Sequence, residues 1–194
     1  MYHMDMAGSV EWFRLAYRDI CPDFSASMQQ LLDKMSDYSM WLSMPDGNYP
    51  SIGDSSKRER IERYWMSNDH YRFVATRGRE GVPENNTAKV FKEAGYGIIR
   101  KDWSMDGSGT WMMLAAATHS MAHKHNDDLN VLLFHKGEFF VEAGNRNYNY
   151  SDPLTEYVYT SFAHNVLIVD GEGWKMKPNQ LISRQEERIS RNAE

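Results

Sequence analysis

Three histidines stand close together in residues 118–130, which read Thr-His-Ser-Met-Ala-His-Lys-His-Asn-Asp-Asp-Leu-Asn. His123 and His125 are separated by one residue, so on an extended strand their rings would project from one face with Cα atoms about 6.5–7 Å apart. Imidazole ligates transition metals and transfers protons near neutral pH. The pair therefore predicts a metal site or an acid–base site, although packed or solvent-facing histidines would give the same pattern.

Two later segments each add one more side chain that can ligate a metal. Val-Glu-Ala-Gly at positions 141–144 supplies Glu142, and Ala-His-Asn at positions 163–165 supplies His164. Both stand in a strand-like or turn context, where a side chain can be aimed at a shared point. These segments favour a functional role for the histidine pair.

Composition limits the classes of function. The net charge of −5 argues against general affinity for nucleic acid or another polyanion. A single cysteine, Cys21, rules out an internal disulfide framework. No apolar run approaches the length of a membrane span. The 13% share of aromatic residues suits either a large core or a surface on which sugars stack.

The first third of the chain is predicted to be helical. Apolar residues recur at helical spacing in residues 10–20 and 25–42, and Ser25 offers an N-cap for the second helix. Pro-Asp-Gly within residues 44–55 predicts a loop, and Ser55 could cap a further helix to about residue 66. The weakly periodic residues 68–89 are interpreted as a long connection and the domain boundary.

The remainder is predicted to form antiparallel strands joined by short turns. Apolar runs at residues 95–103, 111–118, 129–135, 138–142 and 165–169 are separated by Asp-Gly and Lys-Gly turns. Five or six strands are fewer than a closed two-sheet core usually needs. We therefore expect a partial sandwich and a chain that is a piece of a longer protein.

An ordered set of motifs resembles the heparinase II/III-like polysaccharide lyases. The set consists of Gly-Tyr-x-Ile-x-Arg-x-x-Trp (95–103), His-x-His-x-Asp (123–127), Glu-x-Gly (142–144) and Ala-His-Asn-x-x-x-Val-Asp-Gly (163–171). The loop at residues 45–55 is similar to one near the end of that family's helical toroid. The resemblance implies an α+β chain in which residues 1–88 end an (α/α) toroid and residues 89–194 form part of an antiparallel β-sandwich.

The resemblance also implies an activity. Members of the family cleave acidic, uronic-acid-containing glycans, such as heparan sulfate, heparin or alginate, by β-elimination. Tyr2, in a Tyr-His context, is similar to the family's catalytic tyrosine and is expected to serve as proton donor and possible base. His123 corresponds to the histidine that helps to neutralise the substrate carboxylate. An asparagine and a histidine that the family supplies from earlier in the toroid have no counterpart in this sequence.

By the same resemblance, His125, Glu142 and His164 correspond to a metal site that usually holds zinc and organises the active site. The family often has Asp in place of Glu142, and either carboxylate can ligate zinc. Asp127 is expected to fix a ring tautomer as an acceptor behind the ligands, or to be an exposed turn acid. Family members are periplasmic or secreted, and the sequence shows no signal peptide. The oligomeric state is not predicted.

Two other classes of function remain open at this point. A cupin-like metal enzyme also carries His-x-His on a strand, but it expects a glutamate shortly after the second histidine, where this sequence has Leu129 and Asn130. A noncatalytic glycan-binding or structural domain would explain the aromatic content and the absent toroid residues.

Overall fold

The computed structural model describes residues 2–55, 68–116, 124–149 and 151–173, with side chains from residue 5 onward. Within these ranges the chain forms two long helices, a short third helix, a five-stranded sheet, and a further short helix followed by a 3-10 turn. In chain order the elements are α1 (Tyr2–Ala16), α2 (Pro22–Leu42), α3 (Asp69–Ala75), β1 (Ala88–Phe91), β2 (Tyr96–Arg100), β3 (Thr110–Ala115), β4 (Asn130–His135), β5 (Glu138–Phe140), α4 (Pro153–Val158) and the 3-10 turn Ser161–Ala163.

Helices α1 and α2 form the predicted hairpin, with different ends. Helix α1 stops at Ala16, and the predicted continuation to Ile20 is wrong because a turn follows. Helix α2 begins at Pro22, since proline is well suited to the first helical turn, and Ser25 is not its cap. The Ser25 hydroxyl instead donates to the carbonyl oxygen of Arg14 at 3.0 Å and so ties the two helices together.

The predicted connection at residues 68–89 was wrong in part, because it contains α3 and the start of β1. The side-chain oxygen of Asn68 caps α3 by accepting from the backbone N–H groups of His70 and Tyr71. Tyr71 and Val74, three residues apart, are buried on one face of this helix. The helix predicted for residues 55–66 lies almost wholly outside the described residues.

The five strands form one antiparallel meander in the order β1-β2-β3-β4-β5. Four of the five predicted apolar runs are strands of this sheet. The prediction for residues 165–169 was wrong: this segment forms no strand of the sheet, and its only β-bridge is an isolated one between Val169 and Glu172. Helix α4, which sequence periodicity did not reveal, is capped by Asp152 and begins at Pro153.

One hydrophobic core joins the helices to the inner face of the sheet. Trp111 of β3 is fully buried, and its Nε1–H donates to the carbonyl oxygen of Trp41 in α2 at 3.0 Å. Arg100 of β2 donates from Nη1 to the carbonyl oxygen of Ser43 at 2.7 Å, at the C-terminal end of α2. The C-terminal end of α2 and the loop that follows it are therefore held directly against the sheet.

The opposite face of the sheet is also apolar. Ile99, Leu114 and Phe140 lie on it and are 48%, 38% and 47% exposed. A strand with two apolar faces is typical of a layer that another layer covers. The observed sheet therefore has the character of one half of a sandwich.

Candidate metal centre

Three loops next to the sheet supply the predicted metal ligands. His125 lies in the loop before β4, Glu142 follows the end of β5, and His164 follows the 3-10 turn. The expectation that His125 lies on a strand was therefore wrong. Leu129, with a left-handed φ of 64°, turns the chain from the histidine loop into β4.

The three side chains converge. One potential ligand atom from each of His125, Glu142 and His164 lies within 4.8 Å of the others. His164 Nδ1 and Glu142 Oε1 are 2.5 Å apart, and these two side chains are 0% and 1% exposed. The His125 side chain is also 0% exposed. Residues far apart in sequence thus place two imidazoles and one carboxylate around one point.

Several polar atoms at this point are buried without a hydrogen-bond partner among the described residues. They are Nδ1 of His125, Oε1 of Glu142, and both ring nitrogens of His164. A buried polar atom without a partner typically costs about 1–3 kcal/mol. The contact between His164 and Glu142 is close but does not form a hydrogen bond. A cation shared by these atoms would satisfy them, and two imidazoles with a carboxylate form a ligand set that zinc accepts.

The electrostatic surroundings favour a neutral His125 ring. Burial lowers the pKa of His125, and the neighbouring His164 lowers it further. The carboxylates of Asp127, Asp54 and Glu142 act in the opposite direction but do not outweigh these effects. Because only the neutral ring offers a lone pair to a metal, the environment keeps this histidine available as a ligand near neutral pH.

Asn130 holds Glu142 in place, a role that sequence reasoning did not assign to it. Its side-chain Nδ2 donates to Oε2 of Glu142, and its Oδ1 accepts from the backbone N–H of Asn165 at 3.1 Å. The side chain of Asn165 in turn donates to the carbonyl oxygen of Val141 at 2.7 Å. The two asparagines therefore connect the segments that carry Glu142 and His164. Asn165 belongs to the Ala-His-Asn motif at residues 163–165, whereas no sequence pattern around Asn130 indicated its role.

Asp54 and Tyr159 also contact His125. Asp54 Oδ1 lies 3.5 Å from His125 Nε2 and accepts from the Tyr159 hydroxyl at 2.7 Å. The Tyr159 ring packs against the imidazole, with ring centroids 4.2 Å apart. Asp54 lies in the loop whose sequence resembled a family motif, but neither residue was predicted to act at the site.

The structure gives Asp127 a different partner from the expected one. Its carboxylate pairs with Lys124, and among the described residues it makes no hydrogen bond to a histidine ring. The alternative of an exposed turn acid was wrong, because Asp127 is 6% exposed, whereas its expected role as an acceptor behind the ligands is not tested and stays a prediction. His123 lies outside the described residues. Helix α1 begins at Tyr2, whose side chain is likewise not described. The catalytic roles of Tyr2 and His123 stay predictions.

A small pocket borders the centre. It has a volume of about 90 Å³, and its lining includes Ser51, Glu138 and Glu142. Pockets that enclose small organic ligands are typically about 300–1,000 Å³. This pocket is therefore not assigned to a sugar. None of the helices in the described residues has the length and apolar character needed to cross a bilayer.

Comparison with known proteins reveals clear relatives. The chain is 30% identical to a heparin-sulfate lyase from Pedobacter heparinus over 132 residues, which are 63% of this chain and 20% of that protein. It is 25% identical to a heparin-sulfate lyase from Bacteroides stercoris over 136 residues, 65% of this chain and 20% of that protein. The chain thus spans about one fifth of the length of these curated relatives.

Solved structures share the fold. A heparinase III superposes with a TM-score of 0.75 at 20% identity, over 90% of this chain and 30% of that one. The heparan sulfate lyase HepC from Pedobacter heparinus gives a TM-score of 0.69 at 22% identity, over 88% and 29% of the two chains. These likenesses confirm the predicted α+β class, with helices of a toroid followed by part of a β-sandwich.

The heparinase II/III-like C-terminal family model matches residues 83–193, which is more than half of the chain and includes Asn130 and all three converging side chains. The division at residue 88 is tested by none of these comparisons and stays a prediction. The chain belongs to the heparinase II/III-like family.

Proposed function

We propose that this chain is part of a polysaccharide lyase that cleaves an acidic, uronic-acid-containing glycan of the heparin or heparan sulfate class by β-elimination. The observation that carries the proposal is the convergence of His125, Glu142 and His164 within a chain of this family. The substrate class is taken from the curated relatives, which are heparin-sulfate lyases. Family membership argues against the cupin-like alternative. In the activity test below, alginate is compared with heparan sulfate as a substrate.

The reaction requires three functions from the protein. A base removes the proton next to the uronate carboxylate, the bond from the ring to the 4-oxygen breaks, and an acid protonates the departing oxygen. A ring double bond forms, and the charge that builds up on the carboxylate must be stabilised. We assign Tyr2 as the acid and possible base, and His123 as the group that neutralises the carboxylate.

His125, Glu142 and His164 would hold zinc. The bound ion would supply a positive charge that fixes three loops relative to one another. His123, the assigned catalytic histidine, lies two residues before His125 in the sequence. A metal that fixes His125 would therefore also restrict the position of His123. Asn130 contributes by holding the Glu142 carboxylate towards His164.

The activity test uses the formation of the double bond. The chain, and a longer parent containing it, are incubated separately with heparan sulfate, chondroitin and alginate, and ultraviolet absorbance of the unsaturated uronate is followed. We expect absorbance to rise fastest with heparan sulfate, and His123→Ala to abolish it. If the longer parent produced no unsaturated product from any uronate glycan, the proposal would be wrong and the noncatalytic alternative would be favoured.

The metal test uses elemental analysis of purified variants. His125→Ala, Glu142→Ala and His164→Ala should each lower the bound zinc strongly, because each removes one of three protein ligands. His135→Ala is a matched control, since His135 lies at the end of β4 and contacts Thr110 rather than the centre. Equal zinc in all four variants would remove the metal assignment.

A further inference from the structure

Asp54 reaches the metal centre from the helical part of the chain. It lies in the loop after α2, and its carboxylate is at the Nε2 side of the His125 ring. The loop is fixed against the segment that carries Glu142. Asn145 donates its backbone N–H to the Ser55 carbonyl oxygen at 3.0 Å, and a side chain at Gly144 would place its Cβ only 2.8 Å from that oxygen. This loop therefore contacts two of the three ligand-bearing segments.

The two nitrogens of His125 have different surroundings. Nε2 faces the Asp54 carboxylate at 3.5 Å, whereas Nδ1 is buried and has no hydrogen-bond partner among the described residues. An ionised carboxylate can only accept hydrogen bonds. A neutral imidazole carries one proton, so a proton on Nε2 leaves the lone pair on Nδ1.

Tyr159 holds both members of this pair. Its hydroxyl donates to the same Asp54 oxygen at 2.7 Å, and its ring packs on the imidazole at a centroid distance of 4.2 Å. The carboxylate is thereby oriented while the ring plane is held. This is the arrangement in which a carboxylate behind a histidine sets which ring nitrogen ligates a metal.

We propose that Asp54, oriented by Tyr159, is a positioning residue that holds His125 in the tautomer protonated at Nε2 and presents Nδ1 to the metal. This inference rests on the metal centre of the proposed function and extends it to a residue of the helical part. The loop after α2 then contributes to zinc affinity although it supplies no ligand in this arrangement.

The first test is zinc affinity, measured by competition with a chromophoric chelator. Asp54→Ala should weaken zinc binding by about 10–100-fold, the usual effect of losing such a partner. Asp54→Asn, which keeps an acceptor but loses the charge, should give an intermediate loss, and Tyr159→Phe a smaller loss. Asp37→Ala is the matched control, because Asp37 pairs with Lys89 at 2.9 Å between α2 and the sheet and does not touch the centre. If Asp54→Ala bound zinc as tightly as the Asp37→Ala control, the proposal would be overturned.

The second test reads the tautomer directly and does not depend on enzymatic activity. Long-range proton–nitrogen NMR spectra should show the His125 proton on Nε2 in both metal-free and zinc-loaded wild-type protein, and loss of this preference in Asp54→Ala. A proton on Nδ1 would overturn the proposal even if zinc is bound. If the wild-type chain bound no zinc, the metal centre of the proposed function would fail, while the metal-free spectrum would still decide whether Asp54 sets the tautomer.

Discussion

Asn130 offers the sharpest test of how the centre is held together. Its amide joins Glu142 Oε2 to the backbone N–H of Asn165, and its side chain is fully enclosed, with the residue 1% exposed. Asn130→Ala would leave both partners without this contact. A hydrogen bond to a charged group contributes about 1.5–3 kcal/mol and a neutral one about 1 kcal/mol. We therefore expect the free energy of unfolding of the metal-free protein to fall by about 2–4 kcal/mol.

A loss of this size should lower Tm by roughly 5–15 °C for a chain of this length. Chemical denaturation of chelator-treated protein measures the loss of unfolding free energy without interference from bound metal. The control is Asn86→Ala, because Asn86 Nδ2 also donates to a glutamate, Glu84 Oε1, at 3.0 Å, but in an exposed position. This control should lose no more than about 0.5 kcal/mol. Equal losses in the two variants would refute the argument.

Asn130→Asp separates the two contacts of the same side chain. The new carboxylate could still accept from the Asn165 N–H, but it would face Glu142 with a second negative charge. Two carboxylates that share a buried site raise the pKa of one of them. An acid with a raised pKa in the folded state binds a proton more readily when folded, so stability rises as pH falls. The loss of unfolding free energy in Asn130→Asp, relative to wild type, should therefore become smaller at lower pH, whereas the loss in Asn130→Ala should not. Parallel curves of unfolding free energy against pH for the two variants would contradict this account.

Three other predictions concern zinc retention, the core and catalysis. Burial lowers the pKa of His125, so in metal-free protein its contribution to stability is present above the ordinary histidine pKa of about 6.5 and is lost as pH falls below that value and through the lowered pKa of the folded state. Zinc should dissociate over the same pH range, and equilibrium dialysis that shows full retention well below it would contradict this. Arg100→Leu should cost about 1–3 kcal/mol in chemical denaturation, because the Ser43 carbonyl loses its buried donor; unchanged stability would show that this contact is dispensable. In a longer active parent, His123→Ala should abolish turnover and leave zinc content nearly unchanged, and loss of zinc in this variant would mean that the roles of His123 and His125 are exchanged.

The local pattern of the sequence was sufficient for the main elements. The spacing of apolar residues predicted α2, because one face of this helix packs against the rest of the core. Short apolar runs between Gly-containing turns predicted β2 to β5, because neighbouring strands of a meander are also neighbours in sequence. Short helices such as α4 escaped this reasoning, since they contain too few residues to show a period.

At the metal centre, residue types indicated the His-x-His pair, Glu142 and His164 as side chains able to bind a metal, and the resemblance to the family then assigned His125, Glu142 and His164 as the ligands. Their partners were decided by tertiary structure. Asp54 and Tyr159 are 105 residues apart in sequence, yet they share a hydrogen bond beside His125. Asp127 lies close to His125 in sequence but pairs with Lys124. A hydrogen bond depends on distance and direction in the folded chain, and neither spacing nor composition specifies which distant loops are packed together.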